Sequence, residues 1–97
     1  MGRKSLRKGK FYVYILQSRN SLFYTGFTKD LEERLHRHNH GRGGRFTSSK
    51  RPVRLVYYEV YDDRASAMRR EKQIKDFSQR KKRELVRRFR ITHLVKN

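Results

Sequence analysis

Residues 12–28 read YVYILQSRNSLFYTGFT, and the reading of this stretch decides the fold. From Phe11 to Leu16 the residues are aromatic, β-branched or aliphatic and show no helical period. They suit a pleated, half-buried strand. SRNSL then supplies turn chemistry, and LFYTGF resumes the strand-forming composition, so the two runs read as a β-hairpin. Strand parity puts Tyr12, Tyr14 and Leu16 on one face and Phe11, Val13 and Ile15 on the other. Tyr14 and Tyr24 are then candidate cross-strand neighbours. The plain alternative is a pair of ordinary strand tyrosines with hydroxyls at the sheet edge.

Outward from the hairpin, Thr28 or Asp30 can cap a helix over about residues 30–40 (LEERLHRHNH), which GRGG stops. A long Gly-rich basic loop, GRGGRFTSSKRP, leads through Pro52 into a third strand, VRLVYYEVY. Asp62 or Asp63 starts a second helix near residues 64–77, and SQRKKRELVRRF reads as a third, with Ser78 its cap. The order is β-β-α-β-α-α, an α+β chain. Residues 1–10 carry five Lys or Arg and few apolar side chains, which reads as a flexible basic arm. Residues 11–90 form a single expected domain, and 91–97 a tail.

With 97 residues the chain supports one modest core. Its 27 Lys and Arg against 9 Asp and Glu leave a net charge of +18, which makes nucleic acid the first partner to consider and disfavours close self-association without a polyanion. The basic residues do not lie opposite one long apolar face, and no long apolar run exists, so a membrane partner is not expected. The N-terminus lacks an apolar signal core, and in MGRKSL Leu6 stands where a myristoylation signal needs Ser or Thr. A cytoplasmic location is the expectation. The absence of cysteine excludes disulfides, thiolate catalysis and cysteine-ligated zinc, leaving oxygen or imidazole ligands for any metal.

Helical phase singles out three polar residues. With Leu31 at zero, Leu35 lies at about 40°, His38 at about −20° and Arg34 at about −60°, so Arg34 and His38 share the apolar stripe. His36, His40 and Glu33 point away, and HRHNH is therefore not one cluster of imidazoles. On the second helix, with Ala67 at zero, Ile74 falls near about −20° and Glu71 near about 40°. A carboxylate inside that apolar arc needs a cation, a metal or hydrogen-bond donors. A salt bridge from Glu71 to Arg34 or a neighbouring arginine and a metal-ligand role are both open.

Hydrolysis of a phosphodiester needs a proton acceptor for water, positive charge on the nonbridging oxygens and stabilisation of the leaving oxygen. Arg34 offers a fork suited to phosphate, Glu71 a hard oxygen ligand for Mg²⁺ or Mn²⁺, and Tyr14, Tyr24 or His38 a proton acceptor or relay. A free phenol, with a pKa of about 10, is a poor base at neutral pH, but a nearby metal-bound hydroxide, Arg or Lys favours its phenolate. These residues resemble the GIY-YIG nuclease family. YVY (Tyr12–Tyr14) is similar to the family's first motif and YTG (Tyr24–Gly26) to its second, with the motif tyrosines, Tyr14 and Tyr24, ten positions apart. Arg34 falls at the family's helix arginine, His38 at its histidine or tyrosine position and Glu71 at its metal-binding glutamate. The resemblance covers about residues 11–78 and is nearest to the small single-domain bacterial branch and to the catalytic domain of endonucleases that cut branched DNA. Three positions depart from the pattern. Tyr12 replaces a Gly, Thr25 an Ile, and Phe27 stands where the family has Lys or Arg, with Lys29 a nearby substitute.

The resemblance implies a small three-stranded antiparallel sheet flanked by helices, the GIY-YIG fold, and metal-dependent endonuclease chemistry on DNA. Water would attack phosphorus in line, with Tyr24 or Tyr14 as base, Arg34 neutralising the phosphorane, His38 orienting or relaying a proton, and Mg²⁺ or Mn²⁺ on Glu71 assisting the leaving oxygen. For the nucleic acid itself, the loop presents Arg42, Arg45, Lys50 and Arg51, with Thr47 and Ser48 as hydroxyl donors and Phe46 for stacking. Lys29, Arg69, Lys72 and Lys75, with the third helix RKKRELVRR, extend a basic track that contacts phosphates. No helix-turn-helix recognition element is visible, so the expected preference is for shape (branched, nicked or single-stranded DNA in repair or recombination) over base sequence. RNA, and a protein partner for targeting, stay open as alternatives. So does a non-catalytic basic nucleic-acid-binding module that retains the fold.

Overall fold

The computed structural model describes residues 9–40 and 52–95, with side chains to residue 91. Strand β1 spans Phe11–Ser18, β2 Phe23–Thr28 and β3 Val53–Tyr61, and the helices are α1 (Leu31–Asn39), α2 (Arg64–Lys75) and α3 (Gln79–Val95). The order β-β-α-β-α-α is the one expected. The 1–10 arm, apart from its last two residues, and the basic loop over residues 41–51 lie outside the described residues.

The sheet is antiparallel with β1 between β2 and β3. Flanked on both sides, β1 is buried from Tyr12 through Leu16 and divides the core in two. Val13 and Ile15 pack with Phe23, Tyr57, Ala67, Ile74 and Val86 beneath α2 and α3. Tyr12, Tyr14 and Leu16 pack with Leu31 and Val53 beneath α1. The turn closes on Ser18, whose carbonyl accepts from Ser21 N–H and whose Oγ accepts from Leu22 N–H, with Ser21 at φ 68°.

Each helix starts on a side-chain cap. Asp30 accepts from Glu33 N–H, Asp63 from Ser66 N–H, and Ser78 Oγ from Lys81 N–H. This satisfies donors that the first helical turn leaves over. The third helix runs to Val95, beyond the Phe89 end that its residue pattern suggests.

Both outer strands are clamped by a side-chain amide that mimics a peptide group. Asn39 accepts from Val53 N–H at 2.7 Å and donates to Val53 C=O at 3.0 Å. Gln79 does the same to Phe23 of β2, at 2.8 and 3.2 Å. Edge groups that would otherwise seek another chain are thereby paired at these points.

A bulge in β3 sets the faces. Ile15 lies opposite Tyr57 but Leu16 lies opposite Leu55, so Val56 is the extra residue. Beyond it Tyr57, Glu59 and Tyr61 turn toward α2, where Glu59 accepts from Tyr57 Oη, from Tyr61 Oη at 2.6 Å, and from Arg70 Nε and Nη2 at 2.9 and 3.0 Å. Burial alone would raise the Glu59 pKa, but the Arg70, Tyr57 and Tyr61 hydrogen bonds outweigh it and hold the carboxyl below its usual range.

Tyr14 pairs with Gly26, and a Cβ on that glycine would lie 2.3 Å from the Tyr14 hydroxyl and 2.4 Å from Cζ. The ring therefore lies against the bare α-carbon. Tyr24 pairs with Leu16, so Tyr14 and Tyr24 share a face as diagonal cross-strand neighbours.

Three stability measurements follow from this packing. Gly26→Ala is expected to cost about 1–3 kcal/mol in urea unfolding through overpacking against Tyr14, and an unchanged midpoint would show that the ring yields freely. Thr25 Oγ1 is buried with no hydrogen-bond partner among the described residues; Thr25→Val should therefore stabilise by about 1 kcal/mol, seen as a higher melting temperature. Glu59→Gln should lose about 2 kcal/mol at pH 7. Because the folded Glu59 pKa is depressed, its contribution is present above the unfolded carboxyl pKa and disappears as pH falls through the folded one. The gap between parent and variant should narrow in acid, and a constant gap would contradict the network.

Candidate active site

On α1, Leu31 and His38 are buried while Arg34 and Leu35 are half-buried, as the helical phase requires. His38 is 1% exposed, and its Nε2 lies 3.3 Å from the Tyr14 hydroxyl. The rings of Tyr14 and Tyr24 both meet the imidazole edge-on, with centroids 6.2 and 5.3 Å away. Four expected site residues, Tyr14, Tyr24, Arg34 and His38, are thus gathered on the α1 face beside the glycine of YTG. His36 and His40 are exposed and stack on each other, away from this group, as expected.

Arg34 reaches back to β2, where Nη1 donates to Phe27 C=O at 3.5 Å, and its Nε is buried without a partner among the described residues. An unpaired buried guanidinium donor is costly, and such groups are kept where a ligand can use the cation. The guanidinium also acts on the Tyr14 hydroxyl. Burial, then the neighbouring Tyr24, pushes the Tyr14 phenol up to about 12 against the pull of Arg34, with a smaller contribution from the charge of Glu71. Burial, then the charges of Arg34 and Arg37, lowers the His38 pKa. Around neutral pH Tyr14 is therefore a protonated phenol and His38 a neutral imidazole able to take a proton. Tyr14 is buried and Tyr24 half-buried, so of the two phenols Tyr24 is the more accessible.

Glu71 comes from α2, which packs on the opposite face of the sheet, across β1 and the edge strand β2. Its charge is nonetheless felt by Tyr14. The carboxylate is 21% exposed and pairs with Lys75 at 3.4 Å, so the ion pair seen here is with a lysine one turn on, in place of the Arg34 or other arginine partner considered from sequence. The contrast with Glu59 is instructive. Glu59 is saturated by two phenols and a bidentate guanidinium, whereas the Lys75 ammonium is half-exposed and is an easily exchanged partner.

No group of three or more His, Asp or Glu side chains able to hold a metal occurs among the described residues. Cys- or His-rich cages are not what this site offers. One hard carboxylate, with waters and substrate oxygens completing the shell, does fit Mg²⁺ or Mn²⁺. No helix among the described residues is long and apolar enough to cross a membrane.

Of the expected nucleic-acid contacts, Lys29, Arg69 and Lys72 are exposed, and Lys75 is exposed while holding Glu71. Arg69 also donates to Ser66 Oγ at 3.3 Å. Arg42, Arg45, Phe46, Thr47, Ser48, Lys50 and Arg51 lie outside the described residues. The departures from the family pattern have structural reasons. Tyr12 is fully buried and packs edge-on to Tyr58 at 6.3 Å, and Phe27 stacks on Phe11 with the Arg64 guanidinium 5.5 Å from its centroid. Sequence reasoning passed over Lys82, which is 6% exposed. The available signal was its position four residues before Val86, on the apolar stripe of α3.

Comparison with known proteins agrees with this fold. The family model described as the GIY-YIG catalytic domain matches residues 10–84. A UPF0213 protein of Staphylococcus saprophyticus is 44% identical over 77 residues, covering 79% of this chain and 94% of the relative. Another, from Haloquadratum walsbyi, is 42% identical over 75 residues, covering 77% and 84%. The solution NMR structure of the UPF0213 protein BH0048 from Bacillus halodurans superposes with a TM-score of 0.52 at 39% identity, over 79% of this chain and 82% of that one. The chain belongs to the GIY-YIG nuclease family and is similar throughout that region to its small UPF0213 members.

Proposed function

We propose that this chain is a metal-dependent endonuclease that hydrolyses DNA phosphodiester bonds, selecting branched, nicked or single-stranded structure over base sequence, in repair or recombination. The observation that carries the reading is the meeting of Arg34, His38, Tyr14 and Tyr24 on one face, within reach of the Glu71 charge. A core needs no such set, and the cost of burying Arg34 Nε unpaired is offset only if an anion arrives.

In this reading Arg34 takes a nonbridging phosphate oxygen and holds the developing negative charge. Tyr24, the accessible phenol in ring contact with a neutral His38, passes its own phenolic proton to the imidazole as it takes the proton of the attacking water, which leaves hydroxide to bond to phosphorus, a neutral phenol and an imidazolium. Tyr14 stays protonated and keeps Arg34 and His38 in place from below. Glu71 holds Mg²⁺ or Mn²⁺, which when bound supplies positive charge to the phosphate and the leaving oxygen. Exposed Lys29, Arg69 and Lys72 hold the strand through phosphates, which supports recognition by shape.

Labelled single-strand, duplex, nicked, flap and junction DNA, incubated with Mg²⁺ or Mn²⁺, test the proposal directly. Glu71→Gln and Arg34→Ala should each slow cutting by about 10²–10³-fold, and Tyr24→Phe by about 10²-fold or more. The acid limb of the pH profile should fall below the ordinary imidazole range, since the His38 pKa is lowered. Parental rates in Glu71→Gln or Arg34→Ala would remove the proposal. A parent protein that binds DNA but cuts none of these substrates would instead identify a non-catalytic binding module.

A further inference from the structure

HRHNH holds three imidazoles, and the candidate active site uses one of them, His38. The other two, His36 and His40, lie one helical turn apart and are exposed. Their rings stack with centroids 3.9 Å apart and planes inclined by 26°. His40, the residue that closes α1, is gripped twice. Its backbone N–H donates to the carbonyls of His36 at 3.1 Å and Arg37 at 3.2 Å, and its ring Nδ1 lies 2.8 Å from the same His36 carbonyl oxygen. A carbonyl oxygen can only accept, so Nδ1 carries the proton and the neutral ring keeps its lone pair on Nε2. Metal-binding imidazoles are held in this way, with one nitrogen for the ion and the other N–H on a backbone carbonyl or carboxylate.

Zinc–nitrogen bonds are about 2.0–2.1 Å long, so two donors on one ion stand no more than about 4.2 Å apart. The His36 and His40 ring centroids are already within that span, at the four-residue helical spacing that lets two histidines share an ion. Rotation of the exposed His36 ring completes the pair while His40 stays on its carbonyl. The last turn of a helix carries partial negative charge and favours a cation, and Arg37, between the two in sequence, is paired with Glu33 at 3.4 Å. We propose that His36 and His40 form a two-imidazole site for a divalent transition-metal ion of the Zn²⁺ class, separate from the hard-cation site read at Glu71. No group of three His, Asp or Glu able to hold a metal occurs among the described residues, so water fills the remaining positions. Imidazole suits Zn²⁺, Cu²⁺ and Ni²⁺, and carboxylate with water suits Mg²⁺, so the two sites divide by ion. The ion ties together the last turn of the helix that carries Arg34 and His38.

Zn²⁺ is titrated calorimetrically into the full chain in a non-chelating buffer with Mg²⁺ in excess throughout. Saturable binding of one Zn²⁺ per chain is expected. His36→Gln and His40→Gln should each weaken it by about tenfold or more, since even the outer partners of a metal ligand are worth about 10–100-fold. Both positions are exposed, so the variants should melt close to the parent without Zn²⁺, and Zn²⁺ should raise the melting temperature of the parent but not of the double variant. His93→Gln removes the fourth histidine of the chain and should bind Zn²⁺ as the parent does. In the NMR spectrum Zn²⁺ should shift the ring resonances of His36 and His40 and leave those of buried His38 in place. Parental Zn²⁺ affinity in the double variant overturns the proposal, as does displacement of Zn²⁺ by the excess Mg²⁺ or a shift confined to His38. Dimers that form only with Zn²⁺ would show the ion bridging two chains and would overturn the single-chain chelate. A protein that cuts no DNA leaves this result standing, and a protein that binds no Zn²⁺ leaves the cleavage test standing.

Discussion

The arrangement depends on a phenol lying against a glycine. Tyr14 occupies the central strand, where its ring cannot escape upward because α1 covers that face. It extends across the neighbouring edge strand, over the one position that lacks a Cβ. The Gly26 gap brings the hydroxyl to where His38, Arg34 and the charge of Glu71 all bear on it. Close packing and site geometry are here the same constraint, so a methyl group added at Gly26 would disturb both.

Charge is distributed by the same economy. With few carboxylates among many cations, the acids that make described contacts divide by use. Asp30 and Asp63 cap helices, while Glu33 and Glu84 make exposed pairs with Arg37 and Arg87 within one helical turn. Pairs of that kind contribute little to stability. Glu59 is different, since three side chains bind it between β3 and α2 and make it part of the core. Glu71 shares the α2 helix with Arg70 yet, among the described residues, pairs with a half-exposed lysine. Its environment is suited to exchange, and that of Glu59 to permanence.

The excess positive charge is likewise not uniform in role. Several cations cover aromatic rings, as Arg64 does over Phe11 and Phe27 and Lys81 over Phe77. These shield apolar surface with their stems while keeping the charge in water. Arg34 is the exception, half-buried with its Nε unpaired among the described residues.

Local chemistry decided much of this in advance. The composition of residues 11–28, three acid or serine caps and the phases of Arg34, His38 and Glu71 are properties of short stretches, and the element order and the inward polar residues could be read from them directly. Parity and helical period act within one element, so they place a side chain on a face but say nothing of what stands opposite. That is why Glu59 passed unnoticed: a bulge at Val56 turned Tyr57, Glu59 and Tyr61 to the α2 side, and a bulge leaves no mark in the alternation of a strand. The same limit hid the lysine partner of Glu71. Residue pattern determined which groups leave water; only the packing of distant elements decided which of them found a counter-charge, because that depends on distances across the sheet and not along the chain.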